Sequence, residues 1–403
     1  MQPGQSEVSV SGTSTRSRLY RVLRGIEPLR KLVRGARKTL ERYRLSTWHL
    51  EGEGRSDGLP LSVIFAGHLQ SKNYFAHLAF NQEPSERFLG ATWLWNVLRR
   101  GVRSNSDLIV TQEWTRPRES GQRGRGFCIP CWIGTETDLG RAEELCRTSE
   151  NIKSDMRRLV RNGFTYEMTK DPAAIASFYS TMYVPYVERA HGSRTMLTPW
   201  EEFAAELDRA ELMLLQKNGE TIAGNLIVDL GGQRARTRAL GVKNGDSAYV
   251  RMGAVAALYY FEIRHLRAKG CERLHYGASR PFLKDGVLGF KKKYGAEVVD
   301  KDQRIFRIRV ARYSSGAKAF LRNNPFISDS GGRLYANFFV DRPADIDSTE
   351  LRADVAQYNV KGTEATLVYI MENARGPLDT HGRPEEPVRV GLDHGLSNST
   401  PAP

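Results

Sequence analysis

The sequence predicts an α/β fold of the α+β kind, a mixed sheet flanked by helices and assembled from two successive modules. Three observations carry that expectation. Residues 211–216, 221–229 and 234–242 are short β-rich runs separated by the turn pairs Asn218-Gly219 and Gly231-Gly232, the pattern of an antiparallel meander. A helix-compatible stretch of about twenty residues follows, from Ser247 to Gly270, and leads directly into another strand at 274–278. A smaller stretch of strands and helix between residues 46 and 150 precedes all of this, as an incomplete first unit.

With 403 residues the chain can bury a sizeable core and hold two or three domains. No apolar run approaches a membrane span and the first residues lack the apolar core of a secretory signal, so a soluble, cytoplasmic protein is expected. Four cysteines, Cys128, Cys131, Cys146 and Cys271, are too few and scattered for a disulfide framework. Cys128 and Cys131 have C-x-x-C spacing, but no second pair or nearby histidines complete a zinc set, so the pair reads as structural and no metal is expected. The net charge is +14, and eleven Lys or Arg against Glu27 and Glu41 put +9 of it between Arg16 and Arg44. The basicity is therefore an N-terminal arm on a nearly balanced body.

In chain order, residues 1–15 are small and polar and predict disorder. The arm, 16–45, spaces Leu19, Val22, Leu23, Ile26, Leu29, Val33, Ala36 and Leu40 by three and four, interrupted by Gly25 and Pro28, which predicts a kinked, basic, amphipathic helix. Its stripe suits the protein's own body, and its basic face suits an anionic membrane surface, held peripherally on the inner side, or RNA. In the first unit, 46–150, residues 59–80 alternate and predict two strands around a polar turn at 70–73. Residues 85–100 then predict a helix, 107–114 a strand and 116–125 a Gly- and Arg-rich loop. Residues 148–163 predict a charged helix ending at Asn162-Gly163, with Arg157, Arg158 and Arg161 close together.

The second unit, 151–312, reads as a strand at 164–170, helices at 172–189 and 199–210, the meander, the long helix, the strand at 274–278, a short helix at 287–294 and a last strand at 303–310. A small α/β extension spans 313–373, and a disordered tail 374–403. The long helix has Asp246 or Ser247 as its cap, Arg267 and Lys269 at its negative end and Gly270 beyond its last turn. Residues 252–261 are apolar on all sides, so the helix is expected inside the protein. Its polar first turn then offers backbone N–H groups to an anion such as phosphate.

Four segments go further: IPCWIGTETDL (129–139), NIKSDMRRLVRNGF (151–164), FYSTMY (178–183) and LRAKGCERLHYGASRPFLKDGVLGFKKKYGAE (266–297). Together with the element order they resemble the GNAT acyltransferase superfamily over roughly residues 60–310, and more narrowly its Fem-type branch, the peptidoglycan-bridge aminoacyltransferases and their relatives in envelope polysaccharide synthesis, which pair two such modules. The resemblance implies direct transfer of an acyl group from a thioester or activated ester to an amine of a sugar, peptide or envelope precursor. The carbonyl would sit between two splayed parallel strands, here 236–242 and 274–278. Acyl-CoA is the implied co-substrate, its phosphates held by Gly245, Ser247, Arg251, Gly253 and Ala254. Where relatives have a second glycine this chain has Val255, which leaves a carrier-protein thioester or an aminoacyl-tRNA open as donor. For a tRNA, the basic arm and Arg157, Arg158 and Arg161 would meet phosphates. A non-catalytic scaffold that keeps the fold is a third reading.

Lys291 stands after Phe290 where many small acyltransferases have a tyrosine, and is expected to stabilise an oxyanion or bind a phosphate. Glu188, His191 and His275 are the candidates for the base that takes the amine proton. Arg238 would clamp an acidic acceptor or balance a carboxylate, and Tyr276, Ser279 and Arg280 would line the mouth of the site. Nothing in the sequence sets the oligomeric state.

Overall fold

The structure, a computed structural model, describes residues 44–97, 105–114, 126–192, 197–372 and 388–390. The expected disordered start, nearly all of the basic arm, the Gly- and Arg-rich loop and most of the tail lie outside the described residues. The strands are β1 (Arg44–Glu53), β2 (Pro60–Ala66), β3 (Ser85–Trp93), β4 (Leu108–Trp114), β5 (Phe127–Pro130), β6 (Ile133–Asp138), β7 (Thr165–Thr169), β8 (Ala210–Lys217), β9 (Glu220–Gly231), β10 (Arg234–Val242), β11 (Arg273–Ser279), β12 (Glu297–Lys301), β13 (Arg304–Val310), β14 (Phe326–Ser330), β15 (Arg333–Val340), β16 (Ala365–Ile370) and β17 (Val388–Val390). The helices are α1 (Leu69–Ala79), α2 (Leu139–Thr148), α3 (Glu150–Asn162), α4 (Pro172–Phe178), α5 (Val184–His191), α6 (Trp200–Ala204), α7 (Ser247–Met252), α8 (Ala254–Ala268), α9 (Gly286–Lys293), α10 (Ser315–Asn323) and α11 (Thr349–Tyr358), with a π turn at Tyr179–Tyr183 joining α4 to α5.

Three sheets result, in the orders β3-β1-β2-β4-β13-β5, β12-β6-β11-β10-β9-β8-β7 and β14-β15-β16-β17. The expected mixed α/β architecture holds. The two large sheets exchange strands. β6, from the first unit, lies between β11 and β12 in the second sheet, and β13, expected to close the second unit, lies between β4 and β5 in the first. One face of the second sheet buries Leu258, Ile263 and Leu266 of α8 with Leu139 of α2 and Ile152 of α3. Its other face buries Ile175, Phe178 and Phe203 from α4 and α6. The third sheet packs Phe326, Phe339 and Tyr369 edge-on around Phe127 of β5.

Three local expectations change. Residues 69–79 are a helix, because Ser71, Lys72, Phe75 and Ala79 bury one stripe at helical spacing and the alternation nearby is coincidental. Residues 85–93 are a strand on the edge of the first sheet, where pairing with β1, Trp48 opposite Phe88, overrides their helix-like composition. The long helix is two helices, since Gly253 takes φ 97° in the left-handed region and ends α7 before α8 begins.

Candidate active site

β10 and β11 run parallel but share only three rungs, the last being Arg236 opposite His275. Beyond it the strands separate towards their C-terminal ends, as expected for residues 236–242 and 274–278. β10 carries a bulge against β9 that leaves Arg238 without a rung, and β11 an irregularity against β6 between His275 and Ala278, with Gly277 at φ 74°. The gap between Thr237–Ala239 and Gly277–Ala278 is the only break in the middle of this sheet among the described residues.

The helix break divides the residues expected to hold phosphate between two helix starts. Asp246 caps α7, accepting from the Ala248 N–H at 2.8 Å, and the Ser247 hydroxyl accepts from Arg251 at 2.8 Å. Gly245, at φ 63°, is buried with its Cα against the Pro185 carbonyl of α5, so it serves close packing. The helix start aimed at the open end of the sheet is that of α8, where Gly253 is the cap residue and no side chain caps the first turn. Around it, Arg158 lies 3.6 Å from where a Cβ on Gly253 would be. Asn162 donates to the Met252 carbonyl at 3.2 Å, and Lys217 donates to Asn162 at 3.2 Å and to the Met252 sulfur at 3.3 Å. No carboxylate among the described residues pairs with Arg158, Lys217 or Arg251, so basic side chains add to the positive end of the α8 dipole. Lys217 and Asn162 were not singled out from the sequence, and only the chain's folding of β8 beside α3 brings them here.

On the β11 side, Lys291 projects from α9 and is buried, 4% exposed. Its ammonium donates to the Gly277 and Ala278 carbonyls at 3.2 and 2.8 Å and to the Ser279 hydroxyl at 3.0 Å. Those three acceptors match its three N–H donors, so Lys291 ties down the end of β11. Burial brings its pKa down from 10.5 to about 7, with Asp285 opposing. Arg280 does not face open solvent at a mouth. It is buried, stacked 4.0 Å from Tyr74 and 3.7 Å from Trp132, and it donates to the Cys131 carbonyl at 3.1 Å, joining the two units. Tyr276 points into the core beside Tyr259, with ring centroids 5.1 Å apart.

On the opposite face of the sheet, Arg236 and Arg238 both pair with Glu206, Arg238 at 2.6 Å, so Arg238 balances a carboxylate of the protein itself. His275 accepts from the Gly277 N–H at 3.1 Å and stands 3.6 Å from Asp300; burial lowers its pKa, with Asp300 and Glu136 opposing. Glu188 is exposed on α5, and the side chain of His191, the last residue of α5, lies outside the described residues.

Beneath the vertex of the gap is a group the sequence reading passed over. Glu262 of α8 is fully buried and accepts from the Thr237 hydroxyl at 2.8 Å. Its second carboxylate oxygen, both polar atoms of the Asn225 amide and the Tyr276 hydroxyl are buried without a hydrogen-bond partner. Burial raises the Glu262 pKa from 4.5 to about 7, offset by Thr237 and the nearby Asn225 amide. The available signal was a lone acid following an apolar helical run. No group of His, Cys, Asp and Glu suited to a metal occurs among the described residues, and Cys131, held under Gln112, has its thiol pushed up to about 12 by burial. A groove of about 880 Å³ between α2, α9 and α11, and one of about 380 Å³ at the opposite end of β10 and β11, include none of the gap residues.

Residues 147–292 match the family model of the acetyltransferase (GNAT) domain, so this segment is a GNAT domain and the protein an acyltransferase. No curated protein matches the chain. Among solved structures it is similar to L-PGS from Bacillus licheniformis (11% identity over 64% of this chain and 83% of that one, TM-score 0.34). It is also similar to a tandem GNAT protein from the clavulanic acid biosynthesis pathway (13%, 65% and 82%, TM-score 0.28) and to a GCN5-related N-acetyltransferase from Sphaerobacter thermophilus (11%, 62% and 72%, TM-score 0.29). Likenesses of this size carry no substrate with them. Among the described residues no helix is long and apolar enough to cross a membrane.

Proposed function

We propose that the protein transfers an acyl group from an acyl-CoA to an amine on a small molecule, a sugar, a peptide or a cell-envelope precursor, without a covalent enzyme intermediate. The observation that carries this reading is the conjunction of the β10–β11 gap with the α8 start and its three basic neighbours. The donor's phosphates lie on the α8 N–H groups, with Arg158, Lys217 and Arg251 adding charge, and its thioester reaches into the gap. The amine lone pair attacks the carbonyl carbon, a C–N bond forms, the C–S bond breaks and the thiolate leaves. The bulge leaves Arg238 without a rung against β9, which supports its backbone N–H as the donor to the carbonyl oxygen as that oxygen gains charge. Lys291 holds Gly277–Ser279 as the second wall and acts by positioning.

Calorimetry and thermal shift with free CoA and acyl-CoAs of increasing chain length test the donor; binding by none of them overturns it. A second reading keeps the chemistry and takes an aminoacyl-tRNA, as in Fem-type transferases. It is favoured by Arg157, Arg158 and Arg161, which stand exposed along α3 beside the α8 start. It requires tRNA binding that weakens steeply with salt.

A further inference from the structure

Four polar side chains from four neighbouring elements meet under the vertex of the gap: Asn225 of β9, Thr237 of β10, Tyr276 of β11 and Glu262 of α8. Such a cluster is unfavourable in a core unless it has a task, because each buried polar atom left unpaired forfeits its hydration. Glu262 has no cation to balance it among the described residues. The titratable groups around it are Tyr259 on its own helix and Tyr276 on β11, and from β9 and β10 only the neutral Asn225 and Thr237 face it. Thr237 is the first residue past the last rung joining β10 to β11, and its hydroxyl hydrogen is committed to Glu262, which leaves the oxygen's lone pairs free to accept.

We propose that Glu262 is the proton acceptor of the transfer, reached from the gap through the Thr237 hydroxyl. This rests on the acyl-transfer reading. As the amine bonds to the carbonyl carbon, its surplus proton passes to Thr237 Oγ1 while the hydroxyl proton passes to Glu262 Oε1, turning the carboxylate into the neutral acid. The thiolate departs with the C–S electron pair, and the proton returns by the same route to solvent. Glu262 never touches the substrate and acts only through the Thr237 hydroxyl. Because burial holds this acid near neutrality, the route operates above about pH 7 and closes below it.

The test uses the full chain, acetyl-CoA and hydroxylamine as a small nucleophile, with the transfer rate followed from pH 5.5 to 9. Wild type is expected to rise through a limb near pH 7. E262Q should bind acetyl-CoA as wild type does yet lose about 100-fold or more in transfer, together with that limb. T237V should behave like E262Q, and T237S, which restores the hydroxyl, should recover most of the rate and the limb; a merely structural role would leave the pH profile of the residual activity unchanged. Transfer by E262Q along the wild-type limb overturns the proposal alone. Absence of transfer by wild type to hydroxylamine and to a panel of primary amines overturns the acyl-transfer reading, and the proposal with it.

Discussion

Replacing Lys291 by methionine separates a buried, titrating lysine from an ordinary surface one. Burial lowers its pKa from 10.5 to about 7, so between pH 9 and 7 the unfolded chain carries the proton while the folded chain refuses it. A depressed lysine contributes stability that is complete above the unfolded pKa and is lost as pH falls through the folded one. The slope in that window is about 1.4 kcal/mol per pH unit, so wild type should lose roughly 2–3 kcal/mol between pH 9 and 7 through this group. K291M lacks that slope. It carries a separate loss, because the Gly277 and Ala278 carbonyls lose their donor and the Ser279 hydroxyl its partner, at about 1–3 kcal/mol for each buried group left unsatisfied. Urea unfolding of both proteins at pH 7, 8 and 9, followed by tryptophan fluorescence, reads the difference. The variant should be the less stable at pH 9, and the gap should narrow by roughly 2–3 kcal/mol at pH 7. A gap constant across the range refutes the reasoning, since it would mean that Lys291 keeps an ordinary pKa.

Arg158→Ala should weaken CoA binding by roughly 10-fold or more and flatten its salt dependence, the loss of one charge-assisted phosphate contact; calorimetry at two ionic strengths reads it. Gly245→Ala places a methyl group 2.7 Å from the Pro185 carbonyl carbon at a positive φ, and should destabilise by at least about 2 kcal/mol in thermal melts. Arg280→Ala removes the guanidinium between Tyr74 and Trp132 and should lower the unfolding midpoint, with a loss of about 2 kcal/mol or more from the desolvated cation–π stack.

The meander β8–β10 was legible because its strands are β-rich runs separated by Asn-Gly and Gly-Gly turns, whereas β6 and β12 of the same sheet were not foreseen. The parting of β10 and β11 was expected from the family resemblance, which also drew attention to Lys291, though the partners that occupy its amine were not foreseen. What escaped depended on neighbours distant in sequence. Residues 85–93 are a strand only because β1 is there to pair with them, and residues 69–79 show their helical stripe only against the first sheet's core. Gly253 was read as a phosphate-turn glycine inside one continuous helix, and only its positive φ shows that it ends α7 and starts α8. Thr237 and Glu262 are 25 apart in sequence, and nothing local to either marks them as partners. Arg280 and Arg238 were visible as charged groups, but the rings and the carboxylate that hold them come from other elements.

The exchange of β6 and β13 between the two large sheets has a consequence for synthesis. The first sheet is not closed until residues 304–310 insert beside β4, and the ion pair of Glu113 with Arg307 across that seam joins residues 194 apart. At roughly 5–20 residues per second, a ribosome leaves β4 waiting about 10–40 seconds for its neighbour. β6 likewise emerges before any strand of the sheet it joins. Neither half can finish folding while the other is still in the tunnel, so the nascent chain exposes sheet edges for that interval, and a nonsense codon anywhere before residue 304 yields two incomplete sheets and no intact half.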